Sequence, residues 1–291
     1  MINPSPKAVN TSSPLLTGIK LGHVQLTVTD LERATAFYRD SLGLALLQLE
    51  GFSAKLGVAD QVIVVLVENP EARKYPRRTG LYHFALRTPT RLEFAGVLQH
   101  LLEVQTPLQG FADHLVSEAI YLADPDGNGI EIYHDRPREL WFDDSGSLRM
   151  GSEPLDIQDV LNEMDGSGRG EGMPPGTVLG HIHLHVAYLQ PTVEFYQRIM
   201  GLDLMASLGD SAAFLAADGY HHHIGLNTWN GVGATSPPPD TVGLRYFSFE
   251  LPDEASRSEL LMRLEQAGIE HVRQDDAYLV TDPSQNKILV H

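Results

Sequence analysis

Residues 23–28, HVQLTV, alternate as a half-buried strand, with Val24, Leu26 and Val28 on one face and His23, Gln25 and Thr27 on the other. The period then changes. Leu31, Ala34, Phe37 or Tyr38, and Leu42 recur at helical spacing, with Asp30 placed as the cap and Glu32 in the first turn. Gly43 suits the left-handed position just past that helix. A second strand-then-helix unit follows, with a strand over residues 82–87 and a helix near 90–103. It closes on a hairpin through the turn Asp124-Pro125-Asp126-Gly127.

The plan then recurs. LGHVQLTVTDLERATAFYRDSLGLALL from Leu21 aligns with LGHIHLHVAYLQPTVEFYQRIMGLDLM from Leu179, so His23 matches His181 and Gly43 matches Gly201. GLYHFALRTP from Gly80 aligns with GLRYFSFELP from Gly243, and an Asp-Pro turn at Asp282 mirrors the one at Asp124. A matching helix is expected at about 255–267. A repeat of this length predicts a duplicated domain rather than a short-period solenoid. The expected boundaries are a flexible polar leader over 1–18, a first domain over 19–136, a linker over 137–177 and a second domain over 178–291. The linker is rich in Asp, Gly, Ser and Pro.

Composition narrows the class. A hydrophobic content of 42% is ordinary for a globular chain. No apolar run approaches the roughly 18–20 residues that span a bilayer, and the first residues lack the basic start and apolar stretch of a secretion signal. A soluble cytoplasmic protein is expected. The net charge of −17 argues against nucleic acid or an anionic membrane as partner. With no cysteine in the chain, any metal must be held by His, Asp or Glu.

The thirteen histidines then gain meaning. Phe84 and Leu86 face the helices, which leaves His83 on the other side of its strand; Ile130 and Ile132 do the same for Glu131. His23, His83 and Glu131 thus lie on faces opposite the helices and converge if the sheet curls. Two imidazoles and one carboxylate form a facial set suited to Fe(II) or Mn(II), with positions left open. The second copy keeps His181 but places Tyr246 at the second histidine and Leu289 at the glutamate. His181 and His183 share a strand face, and His221 and His223 share one in the run GYHHHIG. With Tyr246 they could hold a metal, shape a substrate pocket or form a polar network.

The LGHVQLTVTDLERATAFYRDSLGL segment, the LYHFAL strand and the DPDGNGIEIY hairpin resemble the vicinal oxygen chelate superfamily, which includes glyoxalase I, bleomycin and fosfomycin resistance proteins and type I extradiol dioxygenases. The resemblance covers nearly the whole chain after the leader. It implies an α+β fold of two tandem domains, each of two βαβββ modules curled into a cup-like mixed sheet with helices outside. It maps metal ligands onto His23, His83 and Glu131. Glyoxalase-like sites add a fourth ligand from the last strand of the first module, where this chain has an apolar residue near Leu66. Three ligands with open sites is the dioxygenase pattern. Extradiol enzymes also carry a tyrosine ten residues before the glutamate, and Tyr121, Pro125, Gly127 and Glu131 fit that spacing.

Such enzymes use a second-sphere histidine as acid–base group, from the module that supplies the first ligand. Residues 51–69 contain none, and His114 is the nearest substitute. The function implied is an extradiol ring-cleaving dioxygenase that takes one divalent metal, Fe(II) first, with Mn(II), Zn(II) and Ni(II) as alternatives. Its partners would be a small aromatic substrate and O2, and a homodimer is left open. The alternatives are another metal-dependent enzyme of this scaffold, such as a lyase, isomerase or transferase, or a protein that binds an aromatic ligand or antibiotic.

Overall fold

The computed structural model describes residues 3–4, 17–164 and 172–291. A two-residue strand, β1 (Asn3–Pro4), comes first; most of the expected leader lies outside the described residues. Four βαβββ units follow. The first is β2 (Lys20–Val28), α1 (Leu31–Ala36), β3 (Ala45–Glu50), β4 (Ser53–Val58) and β5 (Gln61–Glu68). The second is β6 (Gly80–Thr88), α2 (Arg91–Glu103), β7 (Leu108–Asp113), β8 (Ser117–Ala123) and β9 (Gly129–Asp135).

The chain between the halves carries a short helix, α3 (Ile157–Asn162). The third unit is β10 (Val178–His185), α4 (Leu189–Arg198), β11 (Asp203–Leu208), β12 (Ala212–Ala216) and β13 (Ile224–Asn227). The fourth is β14 (Gly243–Glu250), α5 (Glu254–Gln266), β15 (His271–Gln274), β16 (Ala277–Thr281) and β17 (Lys287–Val290). Among the described residues no helix is long and apolar enough to cross a membrane.

Local chemistry sets the helix ends. The Asp30 carboxylate accepts from the Arg33 amide, and Thr90 and Asp253 cap α2 and α5 in the same way. After α1 the chain widens into a π turn over Phe37–Ser41. The turn puts Tyr38 rather than Phe37 fully inside. Gly43, at φ +77, ends the segment as expected.

The α+β class and the four modules are as expected, but the modules pair differently. One sheet runs β1-β11-β12-β13-β10-β6-β9-β8-β7 and the other β15-β16-β17-β14-β2-β5-β4-β3. The second and third units therefore share a sheet through antiparallel β6 and β10, and the first and fourth through β2 and β14. Each sheet thus draws one unit from the 19–136 half and one from the 178–291 half, so each cup is built between the halves rather than within one of them. One apolar cluster takes in residues of all four units.

The 137–177 stretch is more than a spacer. Arg91 of α2 joins Glu118 of β8 to Asp159 and Glu163 at the end of α3. Trp141 is buried and donates its indole N–H to the Arg136 carbonyl. Residues 165–171 of that stretch lie outside the described residues.

Candidate metal centre

Three side chains meet on the concave face of the β6–β9–β10 sheet. Glu131 Oε2 lies 3.0 Å from His83 Nε2 and 3.2 Å from His181 Nε2, and the two imidazole nitrogens are 3.3 Å apart. His83, Glu131 and His181 are 6%, 2% and 1% exposed. Strand pairing builds the arrangement. β6 and β9 run parallel with Ala85 opposite Glu131, and β6 and β10 antiparallel with His83 opposite His183. Alternation then brings His83, Glu131 and His181 to one side while Phe84, Ile130 and Ile132 fill the other.

Burial raises the Glu131 carboxyl, but His181 and His83 outweigh it and hold the group well below the usual carboxylate range. Burial lowers His181 to about 4 against the pull of Glu131. A charged carboxylate and a neutral imidazole are the forms that bind a cation. The three atoms lie within 4.8 Å of one another. Atoms on adjacent positions around a first-row cation at about 2.1 Å would stand roughly 3 Å apart, so spacing and donor type both fit a divalent metal.

Of the expected set of His23, His83 and Glu131, the structure brings His83 and Glu131 together and places His181, not His23, beside them. His23 sits in the other sheet, where its Nε2 is 3.4 Å from the Tyr246 hydroxyl and its Nδ1 is 3.0 Å from Ser248 Oγ. There His23 stands at the place His181 holds in the first cup, Tyr246 at that of His83, and Leu289, opposite Ser248 in β17, at that of Glu131. Among the described residues no group of three His, Asp or Glu ligands forms in this second cup. Tyr246 consequently belongs with His23 and not with His181.

Leu66 is likewise not beside the group; it is fully buried on the helix side of its sheet. In the strand that pairs with β10, the place matching Glu131 is Gly225, which lies opposite His183. A Cβ there would come within 2.8 Å of His183 Cγ. The fourth protein position thus carries no side chain.

Tyr121 pairs across from Glu131 in β8 and β9, and its ring lies 5.7 Å from that of His83. His114 Nδ1 is 2.8 Å from the Gly151 carbonyl and its Nε2 is 2.6 Å from the Tyr121 hydroxyl. A carbonyl only accepts, so Nδ1 carries the hydrogen and the tyrosine donates to Nε2. Both nitrogens of His114 are used, which makes it the anchor of Tyr121. Burial and then the Glu131 charge push the Tyr121 phenol well above its ordinary range.

The GYHHHIG run divides. His222, the middle member of the run, packs its ring 4.1 Å from that of His181. Burial, reinforced by His181, His221 and His183, holds it neutral. His221 turns to Asp135, with Nε2 2.8 Å from Oδ1. His223 accepts from the Ala217 amide and packs on Tyr220. His183 lies against His83, and its Nε2 is buried without a hydrogen-bond partner among the described residues. A rim of aromatic rings borders it, with Tyr82 and Trp229 at 5.1 and 5.5 Å from His183.

Sequence reasoning missed His181 as a member of the triad and His222 as its neighbour. One signal could have found the second. The acid–base histidine is expected in the module of the first ligand, and with His181 in that role the run before β13 is where to look.

The family model for the glyoxalase/bleomycin resistance protein/dioxygenase superfamily matches residues 20–132. A protein of Bacillus subtilis (strain 168) named catechol-2,3-dioxygenase is 41% identical over 269 residues, covering 90% of this chain and 93% of its own. Among solved structures, one from Bacillus subtilis subsp. subtilis str. 168 matches with TM-score 0.63 at 14% identity, covering 93% of this chain and 84% of that one. Glyoxalase I from Zea mays matches with TM-score 0.59 at 17% identity, covering 94% and 92%. At such identities the two structures speak for the fold alone.

Proposed function

This chain belongs to the glyoxalase/bleomycin resistance protein/dioxygenase superfamily, and on that premise we propose that it is an Fe(II)-dependent extradiol dioxygenase acting on a catechol-like aromatic. The observation that carries the reading is the meeting of His83, Glu131 and His181 in a buried cup with Tyr121 beside them. Two histidines and one carboxylate with open positions suit an O2-using iron centre. Gly225 supports the same reading, since it leaves no fourth protein ligand of the glyoxalase kind. The name of the 41% identical relative supports the reaction class.

When bound, the cation supplies Lewis acidity toward two adjacent hydroxyls and a redox centre for O2. The chain's own groups do the rest. Tyr121, its hydrogen committed to His114, offers the lone pairs of its oxygen to a substrate hydroxyl. His222, neutral and against His181, accepts a hydroxyl proton at Nε2 and later returns it. The buried Nε2 of His183 completes the polar lining. Tyr82 and Trp229 form an aromatic wall that a planar ring can stack on.

The test is oxygen uptake and catechol loss over a panel of catechols, with protein loaded anaerobically with Fe(II). Uptake that Glu131→Ala abolishes is the expected result. If protein shown to contain Fe(II) consumes no oxygen with any catechol, the proposal fails.

A further inference from the structure

Behind His222 a chain of buried hydrogen bonds runs away from the cup. His222 Nδ1 lies 2.8 Å from His221 Nδ1, and His221 Nε2 lies 2.8 Å from Asp135 Oδ1. Asp135 also accepts from the Tyr220 hydroxyl, at 3.2 Å to Oδ1 and 3.1 Å to Oδ2, and from Arg87 at 3.2 Å. Tyr220 in turn meets the Tyr133 hydroxyl at 2.7 Å. His221 is fully buried, with the rings of Trp141 and Tyr220 packed on it at 5.0 and 4.1 Å.

The donors and acceptors fix the protons along this chain. Every group facing Asp135 is a donor, and Arg87 brings a positive charge, so Asp135 is the acceptor throughout. His221 Nε2 then carries hydrogen, and a ring with hydrogen at Nε2 alone leaves Nδ1 as an acceptor. His222 Nδ1 can only donate to it. What remains for His222 is a bare Nε2 with a free lone pair, and among the described residues that atom makes no hydrogen bond.

We propose that Asp135 and His221 are positioning residues that lock His222 in the tautomer with hydrogen on Nδ1 and none on Nε2, so that the ring meets its substrate as a ready base. The relay stands to His222 as the buried aspartate stands to the histidine of a serine-protease triad, where the partner sets tautomer and orientation and takes no proton itself. Trp141 and Tyr220 hold the His221 plane, and Arg87 holds the carboxylate. The inference rests on the proposed function for its catalytic meaning, but the tautomer is a property of the folded chain alone.

The experiment is long-range proton–nitrogen correlation on full-length protein labelled with 15N-histidine, metal-free and loaded with Zn(II). The wild type should show His222 with hydrogen on Nδ1. In Asp135→Asn the side-chain amide donates to His221 Nε2 and reverses the chain, so the hydrogen should move to His222 Nε2. With Fe(II) and a substrate of the wild type, kcat of the variant should fall on the order of 100-fold with metal content retained and KM little changed. Hydrogen on His222 Nε2 in the wild type overturns the proposal without any variant. So does an unchanged tautomer in Asp135→Asn. Loss of oxygen uptake in the wild type would sink the dioxygenase reading and leave the spectrum to decide this one.

Discussion

At the scale of single residues, the centre turns on which histidine joins His83 and Glu131. His181→Ala removes one of three closely spaced donors and should abolish stoichiometric Fe(II) binding, as should His83→Ala and Glu131→Ala. His23→Ala should leave metal content at the wild-type level, since its ring answers to Tyr246 and Ser248 in the other sheet. Metal analysis after anaerobic loading and desalting separates the two sets, and loss of metal in His23→Ala would refute the assignment. Trp229 tests the rim. It is 48% exposed and packs edge-on against Tyr82. Its replacement by Ala should raise KM for an aromatic substrate roughly tenfold, about 1.4 kcal/mol of stacking, and leave kcat within about twofold, measured by steady-state oxygen uptake.

At the scale of elements, the hairpin that presents Glu131 depends on one buried carboxylate. Asp124 Oδ1 accepts from the amides of Asp126 and Asn128, and Oδ2 from the Asn128 side chain and the Tyr38 hydroxyl. Asp124→Ala leaves the fully buried Tyr38 hydroxyl unpaired and should cost about 2–4 kcal/mol in urea unfolding. A loss under 1 kcal/mol would mean that the turn holds without it. Much at this scale is legible in the sequence. The Asp-Pro turns, the cap at Asp30, and the face that carries His83 and Glu131 all follow from local pattern and the period of a strand. The spacing that points to Tyr121 belongs to the family resemblance, and strand pairing sets that residue across from Glu131. The choice of Tyr38 over Phe37 is not legible, because it depends on a π turn that apolar spacing leaves ambiguous.

At the scale of the whole molecule, local pattern is silent on which units share a sheet. His23 and His181 head strands of nearly the same sequence, and only the pairing of β6 with β10 rather than with β2 makes one a neighbour of His83. That pairing also concentrates histidines in the interior, with a consequence for acid stability. Burial lowers His23 to about 4 and His223 to about 3, and His183 and His222 lie well below 6.5. An unfolded chain protonates these groups near 6.5 while the folded one does not, so stability is whole above pH 6.5 and is lost as pH falls toward 4. Asp282 opposes them. Burial raises it to about 6, so its contribution is whole below its unfolded value near 4 and is lost as pH rises through 6. Near pH 5 these four histidines outweigh one aspartate by about three protons and His181, also lowered to about 4, adds a fourth, or about 5 kcal/mol per pH unit at most. Against a total stability of about 5–15 kcal/mol, metal-free protein should lose most of its urea midpoint between pH 7 and pH 5. A midpoint unchanged over that range would show that these imidazoles titrate in the folded state.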